Sequence, residues 1–239
     1  MIQTTLLPER IRRIDPNPVA SADSPGIGVA YSGQRYVLKV AYPAHPRLPA
    51  CEWLCHALGF CLGLPVPIWC ACELPDGRMG FGSRFEGGVV ATQVPPTAFG
   101  AYCNPEVVAH TLCFDLFVGN DDRHPGNWLP TRTTPTEMLL RPIDFSRALL
   151  LRWPMVLPPW GQHCNSHLYY QVAAALGHCP ASQVLAFAVK IEGLGKPAWR
   201  TIVESVPGGW LDDSERRELV NWWLSPMWHT RLKWIKDSV

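Results

Sequence analysis

FDLFVGNDDRHPGNWL, residues 114–129, decides the fold, together with its sequel LLRPIDFSRALL, residues 139–150. The first stretch sets Asp122, His124 and Asn127 in a loop with Pro125 and Gly126, between apolar runs. The second places Asp144 just after the apolar run Met138–Leu140 and Ile143, which reads as a short strand. Two acidic residues and an asparagine that converge suit Mg²⁺, which takes hard oxygen ligands and shares them with substrate phosphates. An aspartate left outside the metal shell can orient or deprotonate a hydroxyl nucleophile. Asp121 competes for that role, but only Asp122 stands five residues before Asn127. Asp115 lies on an apolar helix; it is either exposed or a structural partner of the loop through Arg123, which reads as a brace.

Upstream, residues 27–31 (IGVAY) and 36–42 (YVLKVAY) read as two strands joined by a turn at Ser32-Gly33-Gln34. Tyr36, Leu38, Val40 and Tyr42 share one face, while Lys39 lies on the other between Val37 and Ala41. A lysine between two small apolar residues is unusual on a solvated face. Residues 49–62 read as a helix, with Pro49 in its first turn, a core stripe of Leu54, Leu58 and Leu62, and Gly63 just past its end. Glu52 sits in the first turn, where a carboxylate complements the helix dipole. VPIWCACE and MGFGSRF read as a hairpin around Pro75-Asp76-Gly77.

Downstream the character changes. Asn104 is a candidate cap, and 105–118 reads as a helix opened by Pro105. Further helices are expected near 165–176, 181–192, 197–205, 213–224 and 226–236, with a break and fresh start at Ser225-Pro226. The expected class is α+β and bilobal: a small β-rich lobe over residues 1–90 and a larger helical lobe over 91–239. A site between two lobes is a common place for a ligand.

The chain has 239 residues, of which 47% are hydrophobic and 17% charged, so a disordered chain is excluded. A net charge of +1 gives no global electrostatic case for nucleic acid. The N-terminal MIQTTLLPERIRRIDPNP has no apolar core of a signal peptide, and the apolar run Cys55 to Cys72 is broken by Pro65 and Pro67, so no membrane span is expected. Nine cysteines without a CxxC pair point to reduced thiols and a cytoplasmic setting. Core packing is the simplest role for Cys51, Cys55, Cys70 and Cys72, with a thiolate cluster as the alternative. His163 and His167, four apart with Cys164 between them, could bind a metal on one helix face, but closed zinc sites usually take four ligands, so a non-metal role is the simpler reading. Trp222 and Trp223 read as core; Trp228 and Trp234 are candidates for an exposed partner-binding stripe.

Asp122 and Asn127 have the spacing of the catalytic-loop aspartate and metal-binding asparagine of protein kinases. An Asp-Phe follows 17 residues after Asn127, and a strand lysine and a helix glutamate precede both. With YVLKV, CEWLCHALGFCLGLPVP, GFGSRF, GNDDRHPGNWL and IDFSRAL, residues 20–150 resemble the HipA-like kinase domain, an atypical branch of the protein-kinase-like fold. The catalytic loop is also similar to that of phosphoinositide kinases.

The resemblance implies roles. Asp122 matches the catalytic aspartate, and Asn127 and Asp144 match the Mg²⁺ ligands. Lys39 matches the phosphate-binding lysine and Glu52 its helix partner. His124 takes the place of a histidine near the transferred phosphate. Ser21–Gly26, including Ser24 and Gly26, takes the place of the phosphate loop, and Ser83–Gly87, including Ser83 and Phe85, lies near the adenine. The implied cofactors are ATP and Mg²⁺, and the implied activity is transfer of phosphate to a hydroxyl acceptor, a protein serine or threonine by resemblance alone. There are departures: no G-x-G-x-x-G is present, Ser146 stands where the Asp-Phe-Gly signature has glycine, and LLLRWPMVLPPW lacks an obvious phosphorylated activation loop. A nucleotide-binding pseudokinase and a small-molecule or lipid-headgroup kinase are the rival readings.

Overall fold

The computed structural model describes residues 7–16, 24–86, 89, 93–154 and 163–238. Five strands, β1 (Glu9–Asp15), β2 (Ile27–Ala30), β3 (Arg35–Val40), β4 (Trp69–Glu73) and β5 (Met79–Arg84), close into a barrel in the order β1-β2-β3-β5-β4. The closure is parallel, pairing Glu9 with Cys72 and Arg10 with Glu73. Strand β1 carries no clear signal in the sequence. Its residues, ERIRRID, lack the alternation of a half-buried strand because the register shifts between Ile11 and Arg13. That irregularity lets Ile11 and Ile14, three residues apart, both pack on the barrel core.

The barrel's two faces have different work. Tyr36, Leu38 and Val40 point inward with Cys70, Cys72 and Leu74. Lys39, paired with Phe81, lies on the outer face, which packs against helix α1 (Leu48–Cys61). So small a barrel leaves little interior space, and β5 supplies it with glycine: a Cβ on Gly82 would stand 2.4 Å from Cys72 Sγ.

Helix α1 is buried along Leu48–Gly59 with no polar face, because the barrel covers one side and C-terminal helices the other. Its Pro49 and the left-handed Gly63 (φ 86°) lie where the sequence placed them. Helix α2 (Glu106–Val118) is also buried almost throughout. Asn104 does not cap it; its amide instead donates to Leu140 O and accepts from Leu140 N, tying the start of α2 to a strand. A hairpin follows, β6 (Trp128–Arg132) with β7 (Met138–Pro142), of which the sequence signals only β7.

Five helices complete the chain: α3 (Asn165–Ala175), α4 (Ala181–Gly193), α5 (Lys196–Glu204), α6 (Asp213–Trp222) and α7 (Pro226–Asp237). Ser225 caps the last through Trp228 N, as the Ser-Pro break implies. Mixed α+β architecture with strands first and helices after is therefore present. The largest core cluster runs across both parts, joining Leu54 and Leu58 of α1 to Phe114 and Phe117 of α2 and to Trp199, Trp223 and Trp228. Trp228 is fully buried and Trp234 packs against this core, so core packing holds and the alternative of an exposed stripe does not. No helix among the described residues is long and apolar enough to cross a membrane.

Candidate active site

Helix α2 stops at Gly119, whose left-handed backbone (φ 71°) sends its N–H back to Asp115 O. The loop that follows is organised by one buried arginine. Arg123 grips Asp115 with two nitrogens, Nε–Oδ2 at 2.7 Å and Nη2–Oδ1 at 3.0 Å. Its Nη1 donates to Asn127 O at 2.5 Å and to Ile143 O at 2.6 Å. The guanidinium lies over the rings of Trp128 and Phe145. Burial opposes its charge, but Asp115 outweighs that and raises its pKa further. Arg123 thus joins α2, the loop and the end of β7, the bracing role read from sequence, with Asp115 as its partner.

On this platform Asp122 is fixed at two points. Its carbonyl accepts from Asn127 Nδ2 at 2.8 Å, and its Oδ1 accepts from Asn165 Nδ2 at 2.7 Å. Asn127 donates its own N–H to His124 O at 2.9 Å. His124 Nδ1 accepts from Gly126 N at 3.1 Å, which places the imidazole proton of a neutral ring on Nε2. Asp121 makes a different contact, its carbonyl accepting Ser166 N.

The β6–β7 register pairs Trp128 with Pro142, and Ile143 N donates to Asn127 O at 3.1 Å. Asn127 and Asp144 are therefore neighbours at the mouth of the hairpin. Asp144 adopts a left-handed backbone (φ 59°), a conformation that aspartate tolerates better than most residues. Ser146 supports it there, donating Oγ to Asp144 Oδ1 at 2.7 Å and its N–H to the same oxygen at 3.3 Å. Lys39 Nζ, with Lys39 only 5% exposed, lies 2.8 Å from Asp144 Oδ2. Burial alone would raise the Asp144 carboxyl; the Lys39 ammonium and the Ser146 donors overcome it and hold the pKa well below the carboxylate range.

Glu52 stands behind this pair and is 1% exposed. Its Oε1 accepts Phe145 N at 3.1 Å, and its Oε2 lies 3.5 Å from His56 Nδ1. Burial first, then the Asp144 charge, push Glu52 up to about 8, against the opposing pull of Lys39 and the Phe145 amide. Burial and the neighbouring Asp144 charge thus favour the protonated form of Glu52. Burial lowers His56 to about 4, so it is neutral, packed among Trp69, Phe81 and Phe145. Lys39 meets Asp144 directly, and its charge also pulls on the Glu52 carboxyl from α1. Complementing the helix dipole does not describe Glu52: α1 begins at Leu48, so the residue lies beyond the first turn, and it is buried.

The residues expected near the nucleotide are more dispersed. Gly26 has φ 141°, and a Cβ there would stand 2.4 Å from Asp15 O, so only glycine lets the chain pass β1 at this point. Ser24 Oγ engages Gly26 at 3.3 Å. Ser83 pairs with Val37 and Trp69, on the same barrel face as Lys39. Phe85 donates its N–H to Arg35 O and lies beneath the Arg35 guanidinium, at the opposite end of β3 from Lys39. Ser21, Ala22, Asp23 and Gly87 lie outside the described residues.

Sequence reasoning misses Asn165, Ser166 and His56. Ser166 receives Arg123 N and donates to Asn120 O, so the first turn of α3 is built against the loop that follows α2. An Asn-Ser pair at an expected helix start is the one signal that could have found them. Cys164 caps α3 through His167 N. Among the described residues no cluster of three or more His, Cys, Asp or Glu is arranged to hold a metal, so neither the His163–His167 pair nor the cysteine group forms such a site. All nine cysteines are free, and Cys51 hydrogen-bonds Phe145 O and Ala148 O.

Asn127 and Asp144 fit magnesium by donor chemistry. Donation through Nδ2 leaves Asn127 Oδ1 as an oxygen ligand, and the Asp144 carboxylate stays ionised.

No protein-family model matches the chain, and no curated protein matches its sequence. Solved structures do. The proinflammatory kinase CtkA of Helicobacter pylori superposes with a TM-score of 0.63 at 12% identity, covering 97% of this chain and 99% of that one. HipA of the Shewanella oneidensis MR-1 toxin–antitoxin system, solved with HipB and operator DNA, superposes with a TM-score of 0.57 at 14% identity, covering 94% of this chain and 65% of that one. The chain has the fold of the HipA-like kinases.

Proposed function

We propose that this protein is an ATP- and Mg²⁺-dependent phosphotransferase that acts on a hydroxyl acceptor. The observation that carries the reading is the 2.8 Å contact of Lys39 with Asp144 beside a loop in which Asn127 holds the Asp122 backbone carbonyl, the loop being tied to the end of β7 by Ile143 N on Asn127 O. Phosphoryl transfer asks a protein chiefly for positioning and charge stabilisation. Asn127 Oδ1 and the Asp144 carboxylate would hold the metal, which supplies charge neutralisation between nucleotide phosphates. Lys39 donates to the α- and β-phosphates. Asp122, steered by Asn165, accepts the proton of the attacking hydroxyl through its other carboxylate oxygen. His124 Nε2–H is available as a donor to the transferred group.

A protein serine or threonine is the favoured acceptor, on fold likeness to kinases. A small hydroxylated molecule is the alternative. The test is to combine labelled ATP, Mg²⁺ and the protein and follow the γ-phosphate to protein, added acceptor or water. Mg-ATP at 100 times its Kd contributes about 2.7 kcal/mol of stability. For a chain of this length that raises Tm by several degrees, at about 2–4 °C per kcal/mol. Lys39→Met shrinks that shift. Absence of any shift at millimolar Mg-ATP contradicts the reading; a shift with no transfer to any acceptor makes the protein a pseudokinase.

A further inference from the structure

The largest buried charge that the site does not use is Arg231, on α7. It is 1% exposed, and burial pushes its pKa down to about 9. Among the described residues no carboxylate forms an ion pair with it. Its partners are two backbone carbonyls of α2: Nη2 donates to Leu116 O at 2.6 Å and Nε donates to Phe117 O. These belong to the last turn of α2, where carbonyls have no partner within the helix and where the helix dipole places partial negative charge. Asp115 O, one residue earlier, is satisfied locally by Gly119 N and Asn120 N. The next residues are the loop that carries Asp122 and Asn127.

We propose that Arg231 is a positioning residue: it caps α2 from a distant part of the chain and so fixes where the catalytic loop begins. Two features favour this over simple core filling. A buried guanidinium without a carboxylate is costly unless its donors are satisfied, and a methionine or leucine would fill the space without that cost. Both donors are also aimed at the one turn whose displacement would carry Asp122 with it, because Gly119 follows directly. Trp228 of the same helix packs on Phe117, so α7 holds that turn by both ring and guanidinium. This inference rests on the proposed phosphotransfer for its functional meaning, but not for its structural test.

The experiment compares Arg231→Met, Arg231→Lys and Leu232→Ala in the full chain. Leu232 is buried on the same helix but offers no cap, so its variant controls for loss of packing. Amide hydrogen exchange across residues 119–127 is read at matched distance below each variant's Tm. Arg231→Met should speed exchange in that loop selectively and lower the transfer kcat by about 10- to 100-fold, with KM for ATP little changed. Arg231→Lys, which keeps charge but not the fork, should be intermediate. Leu232→Ala should leave loop exchange and kcat near wild type. If Arg231→Met exchanges in the loop no faster than Leu232→Ala, the proposal is overturned. If Arg231→Met does not fold, Arg231→Lys decides: wild-type loop exchange there overturns it. Should the wild type transfer no phosphate, hydrogen exchange alone still separates a cap from core filling.

Discussion

At the scale of single residues, the ionisable groups are arranged so that charge is concentrated at the Lys39–Asp144 pair. Lys39 and Asp144 form an ion pair at 2.8 Å, while burial behind them favours the neutral forms of Glu52 and His56. Glu52 makes stability depend on pH with a definite sign. Above the ordinary carboxylate range the unfolded chain has released this proton, while the folded chain keeps it up to about 8. Stability from Glu52 is therefore lost as pH rises towards 8, by at most about 1.4 kcal/mol per pH unit. His56 acts oppositely but only between about 4 and its ordinary value near 6.5, where rising pH favours the fold. The clean window is pH 6.5 to 8. Tm should fall across it in the wild type and fall less in Glu52→Gln, as followed by circular dichroism; equal slopes would show that Glu52 is ionised. The residues proposed for catalysis are legible as spacing: Asp122, Asn127 and Asp144 lie close in sequence, and Lys39 interrupts an apolar strand. Asn165 and Arg231 are not legible, because Asn165 reaches the loop from 43 residues beyond Asp122 and Arg231 reaches the end of α2 from 114 beyond Phe117.

At the scale of elements, the barrel shows what periodicity can and cannot reveal. Strand β3 shows its core face at Tyr36, Leu38 and Val40, and β2, buried throughout, is read from its apolar run before a turn. Strand β1 is hidden by its bulge, and β6 by Pro130 and by the functional loop that runs into it. The pairing of β4 with β5 yields a sharp packing prediction. Gly82→Ala drives a methyl against Cys72 Sγ and should cost about 1–3 kcal/mol. Adding Cys72→Ala removes the obstacle, so the double variant should recover part of the loss in urea unfolding. Two strictly additive losses would mean that the contact is not what makes glycine necessary here.

At the scale of the whole molecule, α1 is the joint. The barrel packs on one side of it, while on the other Trp53 donates to Ser205 Oγ at 3.0 Å and stacks edge-on against Trp210. One core cluster crosses the proposed boundary near residue 90. Unfolding should therefore be a single transition, with tryptophan fluorescence and far-ultraviolet dichroism coincident. Two separated transitions would mean that the lobes are independent units.

The central claim is that Asp122 serves the acceptor hydroxyl while Lys39, Asn127 and Asp144 serve the nucleotide. Asp122→Asn keeps size and hydrogen-bonding capacity and removes basicity. The decisive measurement is ATP affinity and phosphate-transfer rate, taken side by side for wild type, Asp122→Asn and Asp121→Asn. The account predicts near-constant ATP affinity in all three and transfer reduced by about 10²–10⁴-fold in Asp122→Asn. Asp121→Asn should be far milder. Equal transfer by wild type and Asp122→Asn would contradict it.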